Sequence, residues 1–189
     1  MTTTAIIIGI LFTLCLTSTV AARSVGLIKA DDKPSQKWLV PLVFGVSQGL
    51  MALFGYFVGR LVSHLFVEEF APYLVFVLML VVAVKLFIDS LHILKGQMLY
   101  TINKEWDFIL LSIMAAFNVF LMSLTSFCFM PFGQWFFLIV AAAGFLWSYF
   151  IVRADFTPGI IKKLSFIEFS AAVFMVVIAI LYLFTDLLK

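Results

Sequence analysis

The stretch APYLVFVLMLVVAVKLFIDSLHIL, residues 71–94, decides the class of fold. Its first fourteen residues carry no charge, and as a helix its 24 residues exceed the ~20 needed to cross the hydrocarbon core of a bilayer. Toward its end stand Lys85, Asp89 and His92, at i, i+4 and i+7 on one helical face. Ions at such depth face a bundle interior or a wet cavity and mark ion pathways. The bland reading of the same residues is a Lys85–Asp89 ion pair reaching toward the helix end, with His92 at the interface. The rest of the chain agrees with a membrane setting. Of 189 residues, 65% are apolar and 12% charged, about half the charged share of a soluble domain.

Working outward, six apolar stretches are separated by short polar punctuation: Ala5 to Ala22, Trp38 to Phe66, Ala71 to Leu94, Trp106 to Phe129, Trp135 to Val152 and Phe166 to Leu188. Barrel strands would alternate over about ten residues, so these lengths predict helices. The expected fold is an all-α integral membrane protein with six transmembrane helices. Pro41 and Pro72 fall in first turns, where a missing N–H does little harm. Nine of the twelve basic residues precede the second, fourth and sixth stretches, from Arg23 to Lys37, at Lys95 and Lys104, and at Arg153, Lys162 and Lys163. By the positive-inside rule those loops are cytoplasmic and both termini lie outside. Trp38, Trp106 and Trp135 stand at helix starts, as interfacial anchors do.

Three helices per half make the second half enter from the opposite side, a 3+3 inverted repeat over residues 1–95 and 96–189. GYFVGR (55–60) echoes SYFIVR (148–153), and LMLVVAV (78–84) echoes FMVVIAI (174–180), in matching order.

The second stretch carries Gly45, Gly49, Ala52, Gly55 and Gly59 at steps of four, three, three and four residues, a small-residue stripe that lets another backbone approach closely. Gln48 flanks the stripe, and Asn118 is the matching amide of the fourth stretch, near Ser112 and Ser123. Buried amides bridge helices, and their carbonyl oxygens also coordinate substrates. Cys15 and Cys128 lack the spacing of a disulfide framework or a zinc site, so they read as buried thiols and no metal centre or cofactor is expected. A net charge of +2 gives no argument for nucleic acid. No nucleophile with its base, metal cluster or phosphate loop suggests an enzyme.

The run LCLTSTVAARSVG (14–26) imitates a secretory signal with small residues at its end. Met1 to Thr4 lacks the basic residues of such a signal, so an uncleaved membrane helix is expected. Its hydroxyls, Ser18 and Thr19, are then candidate substrate ligands together with Gln48, Lys85, Asp89 and Asn118.

The order, length and topology of these segments resemble the MntP-type manganese efflux pumps, a branch of the LysE-like transporter superfamily. STVAARSVG falls where that family has its first-helix motif, LVFGVSQGLMALFGYFVGRL resembles its second helix, and FVLMLVVAVKLFIDS its third. Lys85 and Asp89 match basic and acidic family positions, and AAFNVFLMS occupies the fourth-helix motif. The resemblance implies a multi-pass protein of the bacterial inner membrane. It also implies intramembrane carboxylates in helices 1, 2 and 4, where this chain has Ser18 or Thr19, Gln48 and Asn118. Manganese prefers hard, anionic oxygen ligands, so neutral replacements leave its desolvation poorly compensated. Two functions follow. The chain is a transporter for a cation or small solute other than manganese, or it is a transport-inactive accessory subunit of a larger membrane complex. Its expected partners are membrane lipids and, on the second reading, other membrane subunits.

Overall fold

The computed structural model describes residues 2–19, 21–22, 36–63, 71–96, 105–124, 135–153 and 160–187. Among them there is no strand. The helices are α1 (Thr2–Thr17), α2 (Gln36–Ser63), α3 (Ala71–Leu94), α4 (Glu105–Ala115), α5 (Phe117–Ser123), α6 (Phe136–Arg153) and α7 (Ile160–Tyr182), which runs into a π-helical turn, Leu183–Leu187. Four helices are long and apolar enough to cross a membrane, through Trp38–Leu61, Tyr73–Leu94, Phe136–Arg153 and Ile161–Thr185. The apolar segments Ile6–Thr17 and Phe108–Ser123 are shorter.

The expectation of six uniform spans differs from this at two places, each with a local cause. In α1, Thr13 Oγ1 donates to the Gly9 carbonyl at 2.9 Å, Thr17 Oγ1 to Leu14 at 2.8 Å and Ser18 Oγ to Cys15 at 2.9 Å. The Ser18 N–H also turns to the Cys15 carbonyl, three residues back, before Ala22 resumes with Ser18. Hydroxyls that share carbonyls with the backbone ladder tighten and bend a helix, and α1 ends here. The second is a one-residue turn at Ala116, between α4 and α5, whose φ −78° and ψ −2° stay right-handed with ψ raised from the usual helical value. The N–H of Ala116 still reaches Ser112 and that of Phe120 still reaches Ala116, so the ladder continues through the turn. A further difference concerns α7, which starts at Ile160 rather than Phe166 and so takes in Lys162 and Lys163. α3 stops at Gly96, whose φ of +72° admits the left-handed turn that returns its N–H to Ile93.

α2 and α6 run antiparallel in close contact: Gly45 lies against Ala141 and Phe145, and Gly49 against Phe137 and Ala141. Gly55 and Gly59, further along, meet Phe120, Ser123 and Leu124 at the end of α5. The stripe thus serves two internal neighbours in succession, with Ala52 fully buried between them. α3 and α7 form a second antiparallel pair, tied where Ser90 Oγ donates to the Ser165 carbonyl at 3.0 Å and Ser165 Oγ returns the bond to Ser90 at 2.9 Å. Ile10 and Leu14 of α1 pack with Met79, Val82 and Leu86 of α3 and Met175 of α7 in one core. Outward faces stay apolar, as along α2 at Leu42, Val46, Leu50, Phe54, Phe57 and Leu61, which suits hydrocarbon rather than water. Arg153 closes α6 with its guanidinium 3.5 Å over the Tyr149 ring and 4.9 Å from that of Trp38.

The α2–α6 approach yields a direct test. A Cβ at Gly49 would come within 2.7 Å of Ala141 Cβ, so Gly49→Val should destabilise the detergent-solubilised protein by about 1–3 kcal/mol, read by thermal unfolding. Leu50→Ala, on the outward face at 61% exposure, should leave the unfolding midpoint nearly unchanged.

Candidate functional site

A cavity of about 510 Å³ lies among α1, α2, α3, the α4–α5 junction and α7. Its polar lining is Thr17, Lys85, Asp89, Asn118 and Glu168. Met51, Ile93, Ile113, Met114 and Phe117 contribute apolar wall, and Met114, 57% exposed, stands at its mouth.

The charged side comes from α3 and α7. One helical turn places Lys85 Nζ 2.9 Å from Asp89 Oδ2, with side-chain exposures of 37% and 18%. Lys85 is thus the more exposed member of the pair. Glu168, from the facing helix, is 4% exposed, and its Oε2 has no hydrogen-bond partner. Its carboxyl interacts electrostatically with both Asp89 and Lys85. The opposite wall is supplied by the two breaks. Thr17 stands where α1 ends, and Asn118 lies just past the Ala116 turn, 3% exposed with Oδ1 unpartnered. The chemistry is one-signed: two carboxylates, one of them neutralised by Lys85, and neutral oxygen acceptors.

Of the residues singled out in the sequence, Lys85, Asp89 and Asn118 come together on this cavity, whereas Ser18, Thr19 and Gln48 are not among its lining. Ser18 is bound to its own helix, and Thr19 Oγ1 accepts the indole N–H of Trp147 at 2.9 Å, joining α1 to α6. Gln48 lies over Gly144, where its Oε1 occupies the place a Cβ would need. His92 is exposed at the end of α3. Cys15 is a free, half-buried thiol, while Cys128 and Arg23 fall outside the described residues. Glu168 is the residue that sequence reading missed. Its signal was an acid inside an apolar helix, five residues past a lysine pair. Among the described residues, no group of three or more His, Cys, Asp or Glu is placed to hold a metal ion.

The sequence matches the model of the MntP family, described as "Putative manganese efflux pump", over residues 32–157, more than half of the chain. The chain belongs to the MntP family. No curated protein and no solved structure gives a significant match. Membership of a transporter family, with four membrane-length apolar helices, makes this a multi-pass membrane protein rather than one of an enzyme family. The MntP match spans α2 to α6 and stops before α7, so Thr17 and Glu168 both lie outside it.

Because Glu168 faces both members of the ion pair, the two single neutralisations should differ. Lys85→Met leaves two carboxylates facing each other without a cation, whereas Asp89→Asn leaves Lys85 with Glu168 as its remaining counter-ion. Lys85→Met should thus cost more, on the order of 2 kcal/mol in thermal unfolding, below the 3–5 kcal/mol of a fully buried broken pair. Adding Glu168→Gln to Lys85→Met should recover part of the loss. Equal losses for the two single variants would mean that Glu168 does not join the pair.

Proposed function

We propose that this MntP-family protein is a cation transporter of the bacterial cytoplasmic membrane, with its cargo taken into the cavity between Lys85–Asp89, Asn118 and Glu168. One observation carries the reading: the end of α1 and the turn between α4 and α5, in the first helix of each half, both border the cavity that holds the buried, unpartnered Glu168 carboxyl. Interrupted helices at corresponding places of two halves are where transporters bind their substrates. An inverted repeat of residues 1–95 and 96–189 is further supported by the pairing of α2 with α6 and α3 with α7, each helix beside its counterpart. On this reading the short segments complete six passes, and the basic loops are cytoplasmic with both termini periplasmic.

The test is access. In a variant lacking Cys15 and Cys128, a single cysteine at Ala115 on the cavity wall should react with a membrane-impermeant thiol reagent from either side of the membrane, as the cavity opens each way in turn. Labelling from neither side, or from one side under all conditions, would overturn transport and leave the accessory-subunit reading.

Manganese is the family's cargo and poorly suited to this cavity, where Lys85 neutralises one of two acids. The wild-type protein should therefore give little protection to a pump-deficient bacterium on high manganese, and Asn118→Asp, by adding a carboxylate, should increase it. Robust wild-type rescue lost in Glu168→Gln would assign manganese as the cargo.

A further inference from the structure

We propose that the cavity is a binding site for a singly charged organic ammonium ion, held by Glu168, Asn118 and Thr17; the inference rests on the transport reading for what the bound ion is for. The first ground is hydrogen bonding. With Glu168 ionised, the unpartnered atoms on the wall, Glu168 Oε2 and Asn118 Oδ1, are both acceptors, and both residues are more than nine-tenths buried. Thr17 Oγ1 gives its proton to the Leu14 carbonyl and is left with acceptor lone pairs alone. Three acceptors on one cavity match the three N–H donors of a primary ammonium group. A buried acceptor without a donor is costly, so the ligand supplies what the fold omits.

The second ground is charge. With Asp89 held by Lys85 at 2.9 Å, Glu168 is the surplus, and with all three groups ionised their formal charge is −1. One positive charge balances it. A divalent ion leaves a surplus charge in a low-dielectric site, and an anion meets two carboxylates.

The third ground is the remaining wall. Met51, Ile113, Met114 and Phe117 offer thioether, aliphatic and aromatic surface to a carbon body, and an ammonium ion is attracted by an aromatic face. A cavity of about 510 Å³ lined mainly by apolar groups with a few convergent polar ones has the form of an organic-ligand site. A bare metal ion would leave most of that wall unused.

Phenethylammonium is a suitable probe, measured by calorimetry on the full chain in lipid nanodiscs, with empty nanodiscs subtracted. It should bind saturably. Tetramethylammonium, which has no N–H, 3-phenylpropionate, of opposite charge, and Mn²⁺ should each bind at least tenfold more weakly. Glu168→Gln should lower affinity at least tenfold and Asn118→Leu several-fold. Neither should lower the melting temperature of the ligand-free protein, since each replaces a group whose buried acceptor has no partner; a purely structural role would lower it. Should Glu168→Gln fail to fold, Asn118→Leu and the exposed Phe117→Ala carry the same comparison. Tighter binding of Mn²⁺, or phenethylammonium affinity unchanged in these variants, would overturn the inference. Absence of binding in protein whose Ala115 position is labelled from both sides would overturn it while leaving transport standing. Saturable, Glu168-dependent binding with one-sided labelling would overturn transport and leave the site.

Discussion

Hydrocarbon offers no partner to a peptide N–H or carbonyl, so a chain that crosses it keeps its backbone ladder closed or lines an internal space where it opens. This constraint governs where the MntP-family chain departs from regular helix. At the end of α1, Thr17 and Ser18 hydroxyls bond carbonyls of the preceding turn as the ladder tightens. At Ala116 the helix passes through a one-residue turn while its i→i−4 bonds persist. The polar side chains beside these two points, Thr17 and Asn118, border a cavity rather than lipid. Irregular backbone and polar lining thus occur together because each is tolerable only where the other is.

The second determinant is how closely the long helices approach. Without water to drive apolar surfaces together, contact depends on fit, and the absent side chains of Gly45 and Gly49 allow α2 to reach the α6 backbone. The reciprocal case is Gly144 of α6, whose missing Cβ is replaced by the amide of Gln48. That interlock explains why Gln48, polar and central in its helix, is a packing residue here. It also fixes the rotation of α2, so that Met51 meets the cavity while Leu50 faces outward.

Features legible in the sequence were local ones. Membrane class follows from composition, and the Lys85–Asp89 pair follows from a four-residue spacing on one helix. Convergence between helices was not legible, because periodicity cannot separate lipid-facing from buried sides when both are apolar. Thr17, rather than Ser18 or Thr19, lines the cavity, a matter of about 100° of rotation per residue that three adjacent hydroxyls cannot reveal. Glu168 was obscured for a related reason. With α7 taken to start at Phe166 it sat in a first turn, whereas a start at Ile160 puts it two turns deeper, opposite Asp89.

Lys85 then assumes a role that pairing alone does not describe. Its side chain is the more exposed member of the pair, so on the proposed transport reading an entering cation would pass a like charge before reaching Glu168. The same ammonium draws on Asp89, which weakens the hold of the cavity on any cation inside it. A site with a second free carboxylate would bind more tightly and release more slowly. Conduction across a membrane requires binding strong enough to admit an ion and weak enough to let it leave. On the proposed reading Lys85 would set that balance within the protein itself, by leaving one negative charge where the side chains could have supplied two.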